Sequence, residues 1–218
     1  MANSLEARTE ILRRIRVATG KPADPAAIEA EWNAIQRDYK LLASTDHEGL
    51  LHQLEDRLRD YDAGVYRVAA DGIRELVGKI LAERGKQTMA VPAGIPTEWL
   101  PNGVTFVEDL RGDVSPIDAC EGVLTSATLA IAETGTIVLQ DAPGEGRRAV
   151  TLLPDYHLCL VDAAKIVQTV PEAMARLQTT ARVATTFFSG PSATADIEMT
   201  RIKGVHGPRF VDVILIVA

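Results

Sequence analysis

Two blocks of this 218-residue chain mix small residues, hydroxyls and carboxylates in a way that a packed core does not require. They are Ala130-Ile131-Ala132-Glu133-Thr134-Gly135-Thr136 and Ser189-Gly190-Pro191-Ser192-Ala193-Thr194-Ala195-Asp196-Ile197-Glu198. Both fall at expected junctions between a strand and a helix, and in open α/β sheets ligands bind outside the carboxyl ends of the strands. Glu133 is the sharpest single residue. An expected short helix, Ser126 to Glu133, puts it in the last turn, where the macrodipole disfavours a carboxylate. Burial there would raise its pKa and suit it to acid–base or nucleophilic work. The competing reading is a brace, with the carboxylate accepting hydrogen bonds from Thr134, Thr136 or backbone amides. Thr134, Gly135 and Thr136 join it as ligand-binding candidates, and Gly135 also supplies the left-handed residue that closes the short helix.

In the second block, Gly190 lets a ligand approach the backbone, and free amides beside the hydroxyls of Ser189, Ser192 and Thr194 favour an anion. No Gly-Lys-Ser/Thr follows, so this is not a Walker loop; a plain turn is the alternative. Asp196 and Glu198 share a face, and can hold a divalent cation, only if their segment is extended. In a helix they diverge and act as first-turn carboxylates. Asp196 is carried as a ligand-binding candidate and no metal site is assigned. Arg147 and Arg148 sit between a turn-rich loop, Asp141 to Gly146, and an apolar stretch; Arg147 is the candidate to close over an anionic group, against the alternative of a solvated pair. Of the histidines, His206, in Gly204-Val205-His206-Gly207-Pro208, is the second catalytic candidate, ahead of His157. Two lone histidines make no metal signature. Glu133, Thr134, Gly135, Ser192, Asp196 and His206 are expected to converge on one cleft.

The elements that must position these residues follow from the apolar rhythm. Ile11, Leu12, Ile15 and Ala18 recur at helical spacing, Gly20-Lys21-Pro22 breaks the pattern, and Ile28, Trp32, Ile35, Tyr39 and Leu42 resume it. Leu50, Leu51, Leu54, Leu58 and Tyr61 form a third stripe. Such stripes are core or helix-packing faces before they are ligand boxes. From about residue 63 strands alternate with helices: strands at 65–68, 88–91, 104–107, 136–139, 157–161, 185–188 and 211–217, and helices at 73–81 and from Pro171 to Leu177. This alternation predicts an α/β fold, a three-layer α/β/α largely parallel sheet, over residues 63–218, with a helical N-terminal extension over 1–62. The final strand, Val211 to Val217, has almost no polar interruption and is expected inside the sheet, buried on both faces.

Composition narrows the function. The hydrophobic fraction of 46% supports a real core. A net charge of −7 and no basic stripe exclude a general nucleic-acid-binding role. No apolar run approaches membrane-spanning length, and the charged N-terminus is not a secretory signal, so a cytoplasmic protein is expected. The two cysteines, Cys120 and Cys159, lie far apart in apolar runs and read as buried small hydrophobes. The chain alone is therefore not expected to hold an iron–sulfur cluster or structural zinc. No Gly-x-Gly-x-x-Gly dinucleotide fingerprint is present.

Taken together, Ile11 to Arg16, Ala130 to Leu139, Leu152-Leu153-Pro154-Asp155-Tyr156-His157, Ile166-Val167, Ser189 to Glu198 and Gly204 to Pro208 resemble the LUD-domain family, and within it the lactate-utilisation proteins. The likeness is densest from about residue 120 onward. Ala193 stands where that family often carries a basic side chain. The resemblance implies a fold related to the NagB/RpiA/CoA-transferase-like group. It implies a non-redox subunit, with no cofactor in this chain, that works with iron–sulfur lactate-utilisation subunits to oxidise L-lactate to pyruvate. Some CoA transferases of the related fold use a Glu within a Glu-x-Gly turn, and Glu133-Thr134-Gly135 looks like that turn; this is analogy at the level of the fold. Two other readings compete. One is a stand-alone enzyme on a small anionic, phosphorylated or acyl-thioester substrate, with Glu133 as base or nucleophile. The other is a ligand-sensing or structural subunit.

Overall fold

The structure is a computed structural model that describes residues 4–20, 24–38, 44–194, 202–204 and 206–217, with only the backbone of Ser4, Thr194, Ile202 and Lys203. Asp196 and Glu198, like Tyr39 and Leu42 of the second apolar stripe, lie outside the described residues. The chain divides into two compact units, 1–39 and 40–218.

The first unit holds α1 (Ser4–Thr19) and α2 (Pro25–Ala34). On α1 Glu10 pairs with Arg13 and Arg14 at helical spacing (2.7 and 2.9 Å). Asp24 caps α2 through the amide of Ala26, and Pro25 occupies its first turn. The helix ends at Ala34, since Ile35 is extended.

The second unit contains α3 (His47–Asp60), β1 (Gly64–Ala69), α4 (Ile73–Glu83), β2 (Thr88–Pro92), β3 (Thr105–Asp109), α5 (Ser115–Asp118), β4 (Gly122–Ser126), β5 (Leu129–Ile131), β6 (Thr136–Gln140), α6 (Arg148–Leu152), β7 (Tyr156–Asp162), β8 (Ile166–Val167), α7 (Val170–Leu177), β9 (Thr185–Phe188), β10 (Ala193–Thr194), β11 (Ile202–Lys203) and β12 (Phe210–Val217). Six strands form one sheet in the order β1-β12-β7-β4-β2-β3, and every neighbouring pair is parallel. The final strand lies inside this sheet, between β1 and β7, as its unbroken apolar run requires.

A strand buried on both faces needs two covers, and the side-chain alternation shows which cover goes where. Tyr156, Leu158 and Leu160 of β7, with Ile214 of β12, pack against Ile73, Val77, Ile80 and Leu81 of α4. Cys159 and Val161 of β7, with Val211, Val213 and Leu215 of β12, face the other way, onto the leucine stripe of α3. The three-layer α/β/α order is augmented on this second face. A four-stranded sheet, β8-β5-β6-β9, shares that core and is covered in turn by α7, whose Ala173 and Leu177 meet Leu129, Ile131, Val138 and Val167. α3, grouped with the N-terminal extension on sequence, packs within the α/β unit.

The short helix expected over Ser126–Glu133 is not formed. Gly122–Ser126 and Leu129–Ile131 are strands, and β5 pairs antiparallel with β6 and parallel with β8. The pattern is period two after all: Leu129 and Ile131 face α7, and Ala130 and Ala132 face α3. Because both sets are apolar the alternation is hidden, and tertiary pairing overrides the helix preference of alanine. Gly135 does adopt a left-handed φ (62°), but in the hairpin turn between β5 and β6. A side chain there would also meet Arg57 Cβ at 2.7 Å.

Asp212 is fully buried in β12 and is compensated in place. Arg84 donates two hydrogen bonds to its carboxylate (2.8 and 2.7 Å), and the Tyr156 hydroxyl donates a third (2.8 Å). Asp212→Ala leaves a guanidinium and a buried hydroxyl without their acceptor. The expected cost is about 2–3 kcal/mol, below the fully buried case because Arg84 keeps partial access to water. Urea denaturation measures it; a loss under about 1 kcal/mol would show that the cluster adds little.

Candidate functional site

The Ser189 block does not follow a strand of the parallel sheet. Its described part, residues 189–194, leaves β9 at the edge of the smaller sheet and folds over the amino ends of β7 and β12. There it encloses a cavity of about 280 Å³ together with His157, Val211, Arg148, Thr151 and the His206–Pro208 segment. This is the opposite end of the parallel sheet from the one that the general rule for α/β folds favours. The cavity is small, at the lower end of the range for ligand pockets.

Local hydrogen bonds hold its wall. Ser192 donates its amide to Pro208 O (2.9 Å) and accepts the amide of His206 on Oγ (2.9 Å). Gly204 donates its amide to Ser192 O (2.8 Å), so the two glycine-containing segments are laced together. Gly190 takes a positive φ (80°) and lies so close to Tyr61 that a Cβ would stand 2.6 Å from that residue's Cβ. His206 and Ser192 thus meet as the sequence suggested.

Arg148 supplies the charge. Its guanidinium donates to Thr151 Oγ1 (3.1 Å), Thr151 O (3.3 Å) and His206 O (3.3 Å), all neutral acceptors. No carboxylate among the described residues forms an ion pair with it, and burial lowers its pKa. Arg147, the expected anion binder, is committed elsewhere. It makes a two-pronged pair with Asp109 (2.9 Å on both arms), which holds that carboxyl below its usual range. One residue of offset in the pair decides which guanidinium faces the cavity.

His157 closes the floor. It is 2% exposed, bonds Thr125 Oγ1 through Nε2 (2.8 Å) and lies with its ring 5.2 Å from that of Phe188. Burial, with the positive charge of Arg148 in addition, pushes it down to about 3, so it stays neutral at ordinary pH. Sequence reading ranked His157 below His206 because its place at the start of an apolar strand hid that one face opens onto a cavity. Thr151 and Thr186 escaped notice because isolated threonines carry no pattern.

The first block joins this region by one edge only. Thr134 Oγ1 lies 2.7 Å from Thr136 Oγ1, which lies 2.8 Å from Ser189 Oγ, a chain of three hydroxyls between the two blocks. Glu133 turns away from it. It accepts from Gln168 Nε2 (3.3 Å) and gives its amide to Gln168 O (3.1 Å), while Gln168 Oε1 accepts the amide of Ser44 (2.7 Å). Glu133 thus braces the junction through Gln168, where the sequence reading named Thr134, Thr136 or backbone amides, and neither Glu133, Thr134 nor Gly135 lines the cavity. Thr194 is placed by its backbone alone, paired with Ile202. Both cysteines are free and buried, in separate cores; burial pushes Cys159 up to about 12. Among the described residues no cluster of His, Cys, Asp and Glu could hold a metal, and no helix is long and apolar enough to cross a membrane.

Two outcomes follow. The unfolded chain takes a proton on His157 below a pH of about 6.5, but the folded chain does so only near 3, so stability falls as pH drops through that interval. The wild type is expected to lose about 2 kcal/mol more than His157→Gln between pH 8 and pH 5 in urea titrations; parallel curves would refute the assignment. Separately, Arg148→Gln is expected to weaken binding of small carboxylates at least tenfold by calorimetry, about the worth of one charged hydrogen bond, while Arg147→Gln acts through stability alone. Equal binding in wild type and Arg148→Gln would remove Arg148 from the site.

Comparison with known proteins agrees with this architecture. Residues 114–216 match the model of the LUD domain. A protein named lactate utilization protein C from Deinococcus radiodurans is 40% identical over 181 residues, covering 82% of this chain and 84% of its own. A protein of the same name from Halalkalibacterium halodurans is 22% identical over 219 residues, covering 94% and 95%. The crystal structure of a DUF162 family protein from Deinococcus radiodurans superposes with a TM-score of 0.68 at 34% identity, covering 79% of this chain and 99% of that one. With the LUD model spanning the hairpin, both blocks and the strands β4, β7 and β12, and with a relative this similar over most of both chains, the chain belongs to the LUD-domain family.

Proposed function

We propose that this chain is a non-redox subunit of an L-lactate oxidation system, that it works with iron–sulfur partner proteins, and that it holds the small carboxylate in the cavity of Arg148, Ser192 and His206. The reading draws on the relatives named lactate utilization protein C. The observation that carries it is a guanidinium whose acceptors among the described residues are all neutral, facing a cavity of about 280 Å³ ringed by hydroxyls. That volume suits a three-carbon acid, and a planar guanidinium matches a carboxylate through two parallel hydrogen bonds.

Oxidising lactate to pyruvate removes two electrons and two protons. With two cysteines the chain alone lacks the thiolates for a four-cysteine cluster, so the electrons pass to clusters on the partners. Arg148 orients the carboxylate, Ser189 and Ser192 offer hydroxyls to the substrate oxygens, and His206 is the group beside them that takes the hydroxyl proton; the Cα hydrogen leaves as the second proton, to water, as the two electrons pass to the partners' clusters. His157 is neutral and fixed by Thr125, which makes it a positioning residue at the floor. Glu133 acts through the fold.

The test is lactate-dependent dye reduction in extracts of a strain lacking this gene, complemented at equal protein level. Wild type and Glu133→Gln are expected to restore activity, and Arg148→Gln to lose at least tenfold. If Glu133→Gln fails while folding normally, the carboxylate has a chemical role and the brace reading falls. If deletion itself changes nothing, the lactate assignment falls and a stand-alone enzyme on a small anion takes its place.

A further inference from the structure

The parallel sheet has a second cavity, at its carboxyl edge, that the lactate reading does not use. It is larger, about 430 Å³, and sits over the ends of β1, β12, β7 and β4. None of the candidate site residues read from the sequence lines it.

Its chemistry differs from that of the first cavity. Four alanines, Ala70, Ala127, Ala163 and Ala164, line it and leave room for a bulky occupant. The indole of Trp99 and the side chains of Ile73, Leu160 and Ile216 supply apolar wall. An apolar wall with one aromatic face suits a planar hydrocarbon body. The lining also includes Lys165, on the short turn after β7. The ammonium forms no ion pair among the described residues. The carboxylate beside it, Asp162, accepts the amide of Ala164 (2.9 Å) and caps that same turn. Lys165 is a cationic side chain of that lining and can meet a negative group at one end of an occupant, while the Asp162 carboxylate of the same lining is engaged by the Ala164 amide.

We propose that this carboxyl-edge cavity is a second binding site, for an aromatic carboxylate larger than lactate, with the ring against Trp99 and the carboxylate on Lys165. The ligand is held by one charge and one apolar surface, so each can be deleted separately, once in the protein and once in the ligand. Ser126 and His47, also on the lining, are further hydrogen-bonding groups. The site does not depend on the lactate reading, because it shares no lining residue with the Arg148 cavity.

The full chain is titrated with 3-phenylpropionate and with its uncharged analogue 3-phenyl-1-propanol, following the indole N–H signals of the two tryptophans by NMR. Trp99 reports the site and Trp32, in the other unit, is the reference. Phenylpropionate is expected to shift Trp99 saturably at millimolar concentration and to leave Trp32 unmoved. Lys165→Gln is expected to weaken phenylpropionate about tenfold and leave phenylpropanol unchanged. Ala164→Leu, at an exposed position of the wall, is expected to abolish both shifts. Absence of a saturable shift, joint movement of Trp32 and Trp99, or equal affinity in wild type and Lys165→Gln overturns the proposal. An Arg148→Gln chain that loses lactate but keeps phenylpropionate separates the two sites; one that loses both shows that the phenylpropionate response arises at the Arg148 cavity, and the carboxyl-edge proposal falls.

Discussion

β7 and β12 carry large apolar side chains on both faces, so neither strand is stable until two different layers cover it. This constraint shapes the whole α/β unit. One face receives α4, whose Ile73, Val77, Ile80 and Leu81 fill the grooves over Leu158, Leu160 and Ile214. The other receives α3 and the inner face of the small sheet together. Placing a sheet rather than a second helix there creates new apolar surface on the small sheet's far side, and α7 exists to bury it. The polar exception in β12, Asp212, survives because Arg84 reaches in from the end of α4 and Tyr156 from the adjacent strand. Charge compensation and layer packing therefore involve the same helix.

The functional geometry is a by-product of that stacking. Where a helix would have lain flat, β9 runs out past the amino end of β7, and its exit loop has to turn back over His157. The turn is tight enough to need Gly190 against Tyr61, and its hydroxyls end up beside Arg148 rather than in solvent. The neutral state of His157 is a consequence of the same enclosure. A buried imidazole next to a guanidinium cannot also be charged without loss of stability.

Much of the layout was legible in the sequence. Long apolar runs with β-branched residues, such as Val211 to Val217, announce an inner parallel strand because nothing else buries both faces. The helix 73–81 was equally plain. The failures share a cause. Leu129 to Ala132 is apolar at every position, so neither period shows, and alanine content then favoured a helix that tertiary pairing forbids. The Ser189 and Ala130 blocks stood out for their composition, but their sheet was not foreseen, and with it the end of the molecule they occupy. Arg147 and Arg148 are identical in type, and only the position of Asp109 distinguishes the structural one from the one facing the cavity. The carboxyl-edge cavity was invisible because alanines, isoleucines and one tryptophan from separate segments carry no motif.

The loop at 141–146 looks on sequence like an ordinary turn, but Gly144 is wedged between β2 and β4. Its amide reaches Ala93 O (2.7 Å) and its carbonyl receives the amide of Ser126 (2.7 Å). β2 and β4 themselves pair at only two positions, Met89 with Gly122 and Ala90 with Val123, before they separate. Gly144 therefore acts as a one-residue splice that finishes the ladder where the strands diverge. The neighbouring Glu145 is anchored through Thr128 and the amide of Gln140, so the splice cannot slide. A stretch rich in glycine and proline would ordinarily tolerate insertions. Here the length is set by the gap it bridges, so one residue more or less would break the seam of the main sheet and not merely reshape its surface.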